Sequence, residues 1–119
     1  MTYSGLIERI EVELREIREI VNQTEEFLAQ SLSTEAAPYQ EALINAIALN
    51  LHSFYTGIER IFEMIARNID YRQPSGNAWH GELLQQMSIA IEEVRPAVIS
   101  EETWGRLDEF RRFRQTHYI

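Results

Sequence analysis

The sequence predicts an all-α protein, an antiparallel up-down four-helix bundle made by a single domain over residues 1–119. Three observations predict it. Apolar residues recur at alternating steps of three and four along two long stretches; no stretch shows the strict alternation of a strand; turn-forming residues fall between the periodic segments. The chain is 45% apolar and 25% charged, the balance of a soluble protein long enough to bury one core.

The first helix is expected from Ser4 to about Leu32. Its seam is Ile7, Ile10, Leu14, Ile17, Val21 and Leu28, with Thr24 filling the gap, and Glu and Arg occupy the other faces. Ser31-Leu-Ser-Thr-Glu35 interrupts the pattern, and Pro38 fits only a first turn. A second long helix then runs to Ile69 with the seam Ile47, Leu51, Phe54, Ile58, Ile61 and Ile65. Tyr55, Phe62 and Met64 lie off that seam, which makes this the central helix. Asp70 to Asn77, ending Pro-Ser-Gly-Asn, reads as a loop. Trp79 to about Glu93 reads as a third helix ended by Arg95-Pro96. Ser100 caps the last helix, with Glu101 and Glu102 at its positive end and Trp104, Leu107 and Phe110 turned inward.

Charge separates the tail from the body. Every basic side chain is arginine. Residues 1–105 hold seven arginines against seventeen acids, and residues 106–119 hold four against two, so a body of −10 carries a tail of +2. A net charge of −8 speaks against coating nucleic acid by bulk electrostatics. The tail itself has two readings. Cations suit the negative end of any helix, and the run Phe110-Arg-Arg-Phe-Arg-Gln-Thr-His-Tyr-Ile119 also holds a chemical kit. Arginine forks match phosphate oxygens, and a histidine exchanges protons near neutrality. Together they suffice for RNA cleavage without metal: histidine takes the 2′-OH proton and arginine stabilises the phosphorane. Arg114 and His117 share a helix face, whereas Arg112 and His117 do not, so a complete site calls for two such helices meeting across a dimer axis.

Other chemistries lack their residues. Cysteine is absent, which excludes disulfides and thiolate ligands. Three residues before the histidines stand Leu49, Asn77 and Arg114, so the Glu-x-x-His pairs of a di-metal bundle are missing, as are zinc spacings and a phosphate-cradling glycine loop. No metal or other cofactor is expected. His52 and His80 read as histidines beside the core or in solvent. No run nears the ~18 apolar residues of a membrane span, and the first seventeen residues offer no apolar export stretch. A cytoplasmic protein without membrane contact is expected.

Three stretches then resemble one family. Ala48-Leu-Asn-Leu-His-Ser-Phe-Tyr-Thr-Gly-Ile-Glu-Arg-Ile-Phe-Glu63, Trp79-His-Gly-Glu-Leu-Leu-Gln-Gln-Met87 and Leu107-Asp-Glu-Phe-Arg-Arg-Phe-Arg114, followed by Arg112-x4-His117, look like the HEPN superfamily. Within it they are similar to HepT-like ribonuclease toxins of a bacterial, often cyanobacterial, branch. The resemblance implies a homodimer with a composite RNase site, neutralised by an antitoxin of the minimal nucleotidyltransferase type. It assigns catalysis to Arg112 and His117, RNA phosphates to Arg111 and Arg114, and a possible nucleotide-modification site to Tyr118. The family motif reads Arg-x4-His-x-Tyr; here Tyr118 follows His117 directly and Ile119 is the last residue, a shortened and altered C-terminus. The alternative function is an inactive dimeric module that binds the antitoxin or RNA without cutting.

Overall fold

The computed structural model describes the backbone of residues 2–117 and the side chains of residues 2–114. Helix α1 (Tyr3–Ser33) begins where Thr2 accepts a hydrogen bond from the Gly5 amide at 3.1 Å. Helix α2 (Ala37–Ile65) follows after three residues, with Pro38 in its first turn. The two run antiparallel. Gln40 donates to the Ser31 carbonyl, Asn50 to Gln23, and Arg60 approaches Glu13, so one partner's number rises as the other's falls.

The face that α1 presents inward is Leu6, Ile10, Glu13, Ile17, Ile20, Thr24, Phe27 and Ser31, spaced four and three throughout. It shares Ile10, Ile17 and Thr24 with the expected seam, and Val21 of that seam also packs against the core, but Leu6, Glu13 and Phe27 take the places expected for Ile7, Leu14 and Leu28. Ile7, Leu14 and Leu28 are thereby left exposed along a neighbouring stripe. The two helices approach closely at Gly57 of α2, where a Cβ would lie 3.0 Å from Ile17 Cγ1.

The second half of α2 is buried nearly all round, as its apolar composition requires. Tyr55, Ile61, Phe62 and Met64 are buried, while Phe54, Ile58 and Ile65 pack partly covered against them. The residues off the expected seam are therefore the more deeply placed. After Ile65 the helix widens into a π-turn, Ala66–Asp70, closed by Tyr71 in the left-handed region at φ 53°. Helix α3 (Trp79–Met87) buries Leu83, Leu84 and Met87. It ends six residues short of the expected Glu93. The Met87 carbonyl accepts from the Val98 and Ile99 amides, and the Arg95 guanidinium takes the Gln86 and Ile89 carbonyls. Partners distant in sequence thus satisfy the groups a continuing helix would have used. Helix α4 (Glu101–His117) starts at Ser100, whose hydroxyl accepts from the Thr103 amide. Its Phe110 ring stacks on Tyr55 with centroids 5.7 Å apart.

All four α-helices thus belong to an all-α fold, and among the described residues the sole β contact is an isolated bridge between Ile91 and Arg95. No helix is long and apolar enough to cross a membrane among them. Helices α3 and α4 cover the half of the hairpin that holds the core, leaving the Ala37 end of α2 and the Ser33 end of α1 as an arm. The longest dimension is 56 Å, and the Cα radius of gyration is 16.6 Å, against about 13.5 Å for a compact chain of this length.

Candidate functional site

The basic tail is held by two buried carboxylates, one within it and one on α2. On α4, Asp108 accepts from Arg111 Nη2 at 2.8 Å and lies 2.7 Å from Arg112 Nη2. The spacings i,i+3 and i,i+4 put both cations over one anion, so the trio carries a net positive charge. On α2, Glu59 is buried in the otherwise apolar half of that helix. Its Oε2 lies 2.6 Å from His80 Nδ1, and its Oε1 lies 3.9 Å from Arg114 Nη2. Arg114 also lies flat over the Tyr55 ring, 4.5 Å from its centroid. Burial, with Glu59 nearby, pushes the Tyr55 hydroxyl up to about 12, so it remains a neutral donor.

Between α3 and α4 lies a cleft of about 610 Å³. His80, Gly81 and Glu82 form one wall; Asp108, Arg111, Arg112 and Arg114 form the other, with Trp104 at the side. Gly81 faces Arg111 across the cleft, where a Cβ would meet Nη2 in ordinary contact at 3.4 Å. The Trp104 Nε1–H is buried without an acceptor among the described residues, a group that a ligand oxygen would satisfy.

The structure separates the three expected arginines by exposure. Arg112 is 70% exposed and reaches outward, whereas Arg114 is 14% exposed and anchored between Tyr55 and Glu59. Arg111, tied to Asp108, lines the same cleft. The backbone of α4 continues to His117; the side chain of His117 and the whole of Tyr118 lie outside the described residues. Sequence reasoning passed over Glu59, Asp108 and the part played by His80. The signal was present for Glu59, a carboxylate on the most apolar helix, which demands a partner wherever it is buried.

A second ionic cluster holds the opposite side of α3. Asp70 receives two hydrogen bonds from Arg95, at 2.6 and 2.7 Å, and one from Gln86 at 2.8 Å. Burial acts to raise the Asp70 carboxyl, but the bonds from Arg95 and Gln86 outweigh it and hold it below its ordinary 3.8. This cluster fixes the π-turn to α3 and to the segment that leads into α4.

Comparison with curated proteins and with solved structures found no match. Comparison with protein families did: residues 46–118 match the model described as HepT-like protein. That span begins in α2 and takes in the π-turn, α3, both walls of the cleft and the arginine run of α4. It covers more than half of the chain, and the chain belongs to the HepT-like family.

Proposed function

We propose that the protein is a HepT-like toxin of a toxin–antitoxin pair, a metal-independent endoribonuclease of the cytoplasm acting as a homodimer of up-down four-helix domains. The observation that carries this reading is the gathering of Arg111, Arg112 and Arg114 at one cleft of an otherwise acidic member of the HepT-like family. Arg112, the outward cation, stabilises charge on the phosphorane, and His117 takes the 2′-OH proton. Arg111, held on the cleft wall by Asp108, meets the phosphate backbone, with Arg114 behind it. The antitoxin is of the minimal nucleotidyltransferase type, and Tyr118 is the modification site.

The chemistry needs a base and cations. Purified protein is therefore expected to cleave single-stranded RNA in EDTA and to leave 2′,3′-cyclic phosphate ends. Arg112→Ala and His117→Ala should each lose most of that activity. Cleavage that survives His117→Ala would place the site elsewhere.

A second reading, a dimeric module that binds the antitoxin or RNA without cutting, draws support from one feature. Arg111 and Arg112 on Asp108, and Arg114 near Glu59, already have carboxylate partners within the fold, so much of the tail's charge is compensated before any RNA arrives. RNA binding with no product in the same assay would favour it.

A further inference from the structure

We infer that His80, held by Glu59, is the general acid that protonates the leaving 5′-oxygen in RNA cleavage at the α3–α4 cleft; the inference rests on the ribonuclease reading above. Transesterification at a ribose phosphate needs two proton transfers. The tail's Arg-x4-His run supplies one histidine, and arginine does not release its proton near neutral pH. Across a dimer axis a second tail brings a second such histidine; within one chain a second acid–base group comes from another element. Among the described residues, His80 is the histidine on the wall facing the arginines.

Its setting is that of an oriented acid. Nδ1 lies 2.6 Å from a carboxylate that is itself buried, so Nδ1–H donates to Glu59 and Nε2 is left as the nitrogen that exchanges protons. The carboxylate orients the ring and offsets its charge when protonated, as in other carboxylate–histidine pairs. Trp79 stacks on the ring at 3.6 Å between centroids, which limits its rotation further. The His80 side chain is still 39% exposed. A ring that served only the core would not keep that much surface on a cleft. Glu59 of α2 touches the ring from outside the cleft lining; the charges that line the cleft with it are Glu82 from its own helix, and Asp108, Arg111, Arg112 and Arg114 from α4. The arginines bring the phosphodiester to it.

The step balances without a further reactant. The 2′-oxygen gives its proton to His117 and forms a bond to phosphorus. The P–O5′ bond breaks, and the departing oxygen takes the Nε2 proton of His80. The products are a 2′,3′-cyclic phosphate and a 5′-hydroxyl, and solvent returns the proton from His117 to His80. Glu59 touches no substrate atom; it is a positioning residue.

The test uses the full chain and two short RNA strands that differ at one cleavable linkage. One has the natural bridging 5′-oxygen and the other a bridging 5′-sulfur, which leaves as thiolate and needs no proton. On the oxygen strand His80→Ala and His80→Gln should lose about 10²-fold or more in rate, the scale of one acid–base group. On the sulfur strand both should run close to wild type. Glu59→Gln should show a smaller loss with the same recovery on sulfur. Equal losses on both strands, with helical content unchanged by circular dichroism, would make His80 a structural residue and overturn the inference. So would a His80→Ala rate equal to wild type on the oxygen strand. In both cases the wild type cleaves and the ribonuclease reading stands; a wild type that cleaves neither strand removes that reading and this inference together.

Discussion

At the scale of single residues, Asp70 and Arg95 show how much one buried pair can organise. The Asp70 side chain is fully covered, and Arg95 spends its remaining donors on the end of α3. Removing one partner strands the other's charge, so Arg95→Met should cost about 3–5 kcal/mol in denaturant melts. The pH dependence has a definite sign. Asp70 titrates lower in the folded protein than in the unfolded chain, so its contribution is fully present above its ordinary 3.8 and drains away as pH falls through the depressed value. Asp70→Asn should flatten that acid limb while lowering stability at neutral pH; an acid limb as steep as wild type's would show that other carboxylates govern it. Neither this pair nor His80–Glu59 was legible in the sequence. Their members are 25 and 21 residues apart, and no local pattern links charges across such separations. The arginine tail was legible because its members are consecutive.

At the scale of elements, periodicity located both long helices within a few residues, and the caps at Pro38 and Ser100 were read correctly. The rotation of α1 was not legible. Ile7, Leu14 and Leu28 fit the spacing as well as the positions used, and the close approach of the two helices is at a glycine that no spacing on α1 announces. Gly57→Val should therefore push the hairpin apart, destabilising it by about 1–3 kcal/mol. Gains in helix propensity act the other way, so a variant more stable than wild type in thermal melts would mean that Ile17 gives way freely. The early end of α3 was hidden for a different reason. Ile91 continues the apolar spacing, but the capping groups come from Arg95 and the residues near 98, beyond the reach of spacing arguments.

At the scale of the whole molecule, a surface of 8299 Å² stands out for a 14.0 kDa chain. A compact monomer of that mass exposes about 6,700 Å². Along the hairpin Ile7, Leu14, Leu28, Ile44 and Leu49 are uncovered, and such stripes mark association surfaces. A symmetric dimer that buries them is expected, with light scattering at micromolar concentration giving twice 14.0 kDa. A mass of one chain would leave the stripes without that purpose.

Helix α2 connects these surfaces with the setting of His80. It is one rod from Ala37 to Ile65, without proline after its first turn, and it carries the arm at one end and Glu59 near the other. A rod without a joint transmits displacement instead of absorbing it. The arm and the carboxylate behind His80 therefore belong to one continuous element, with no break in the backbone between them.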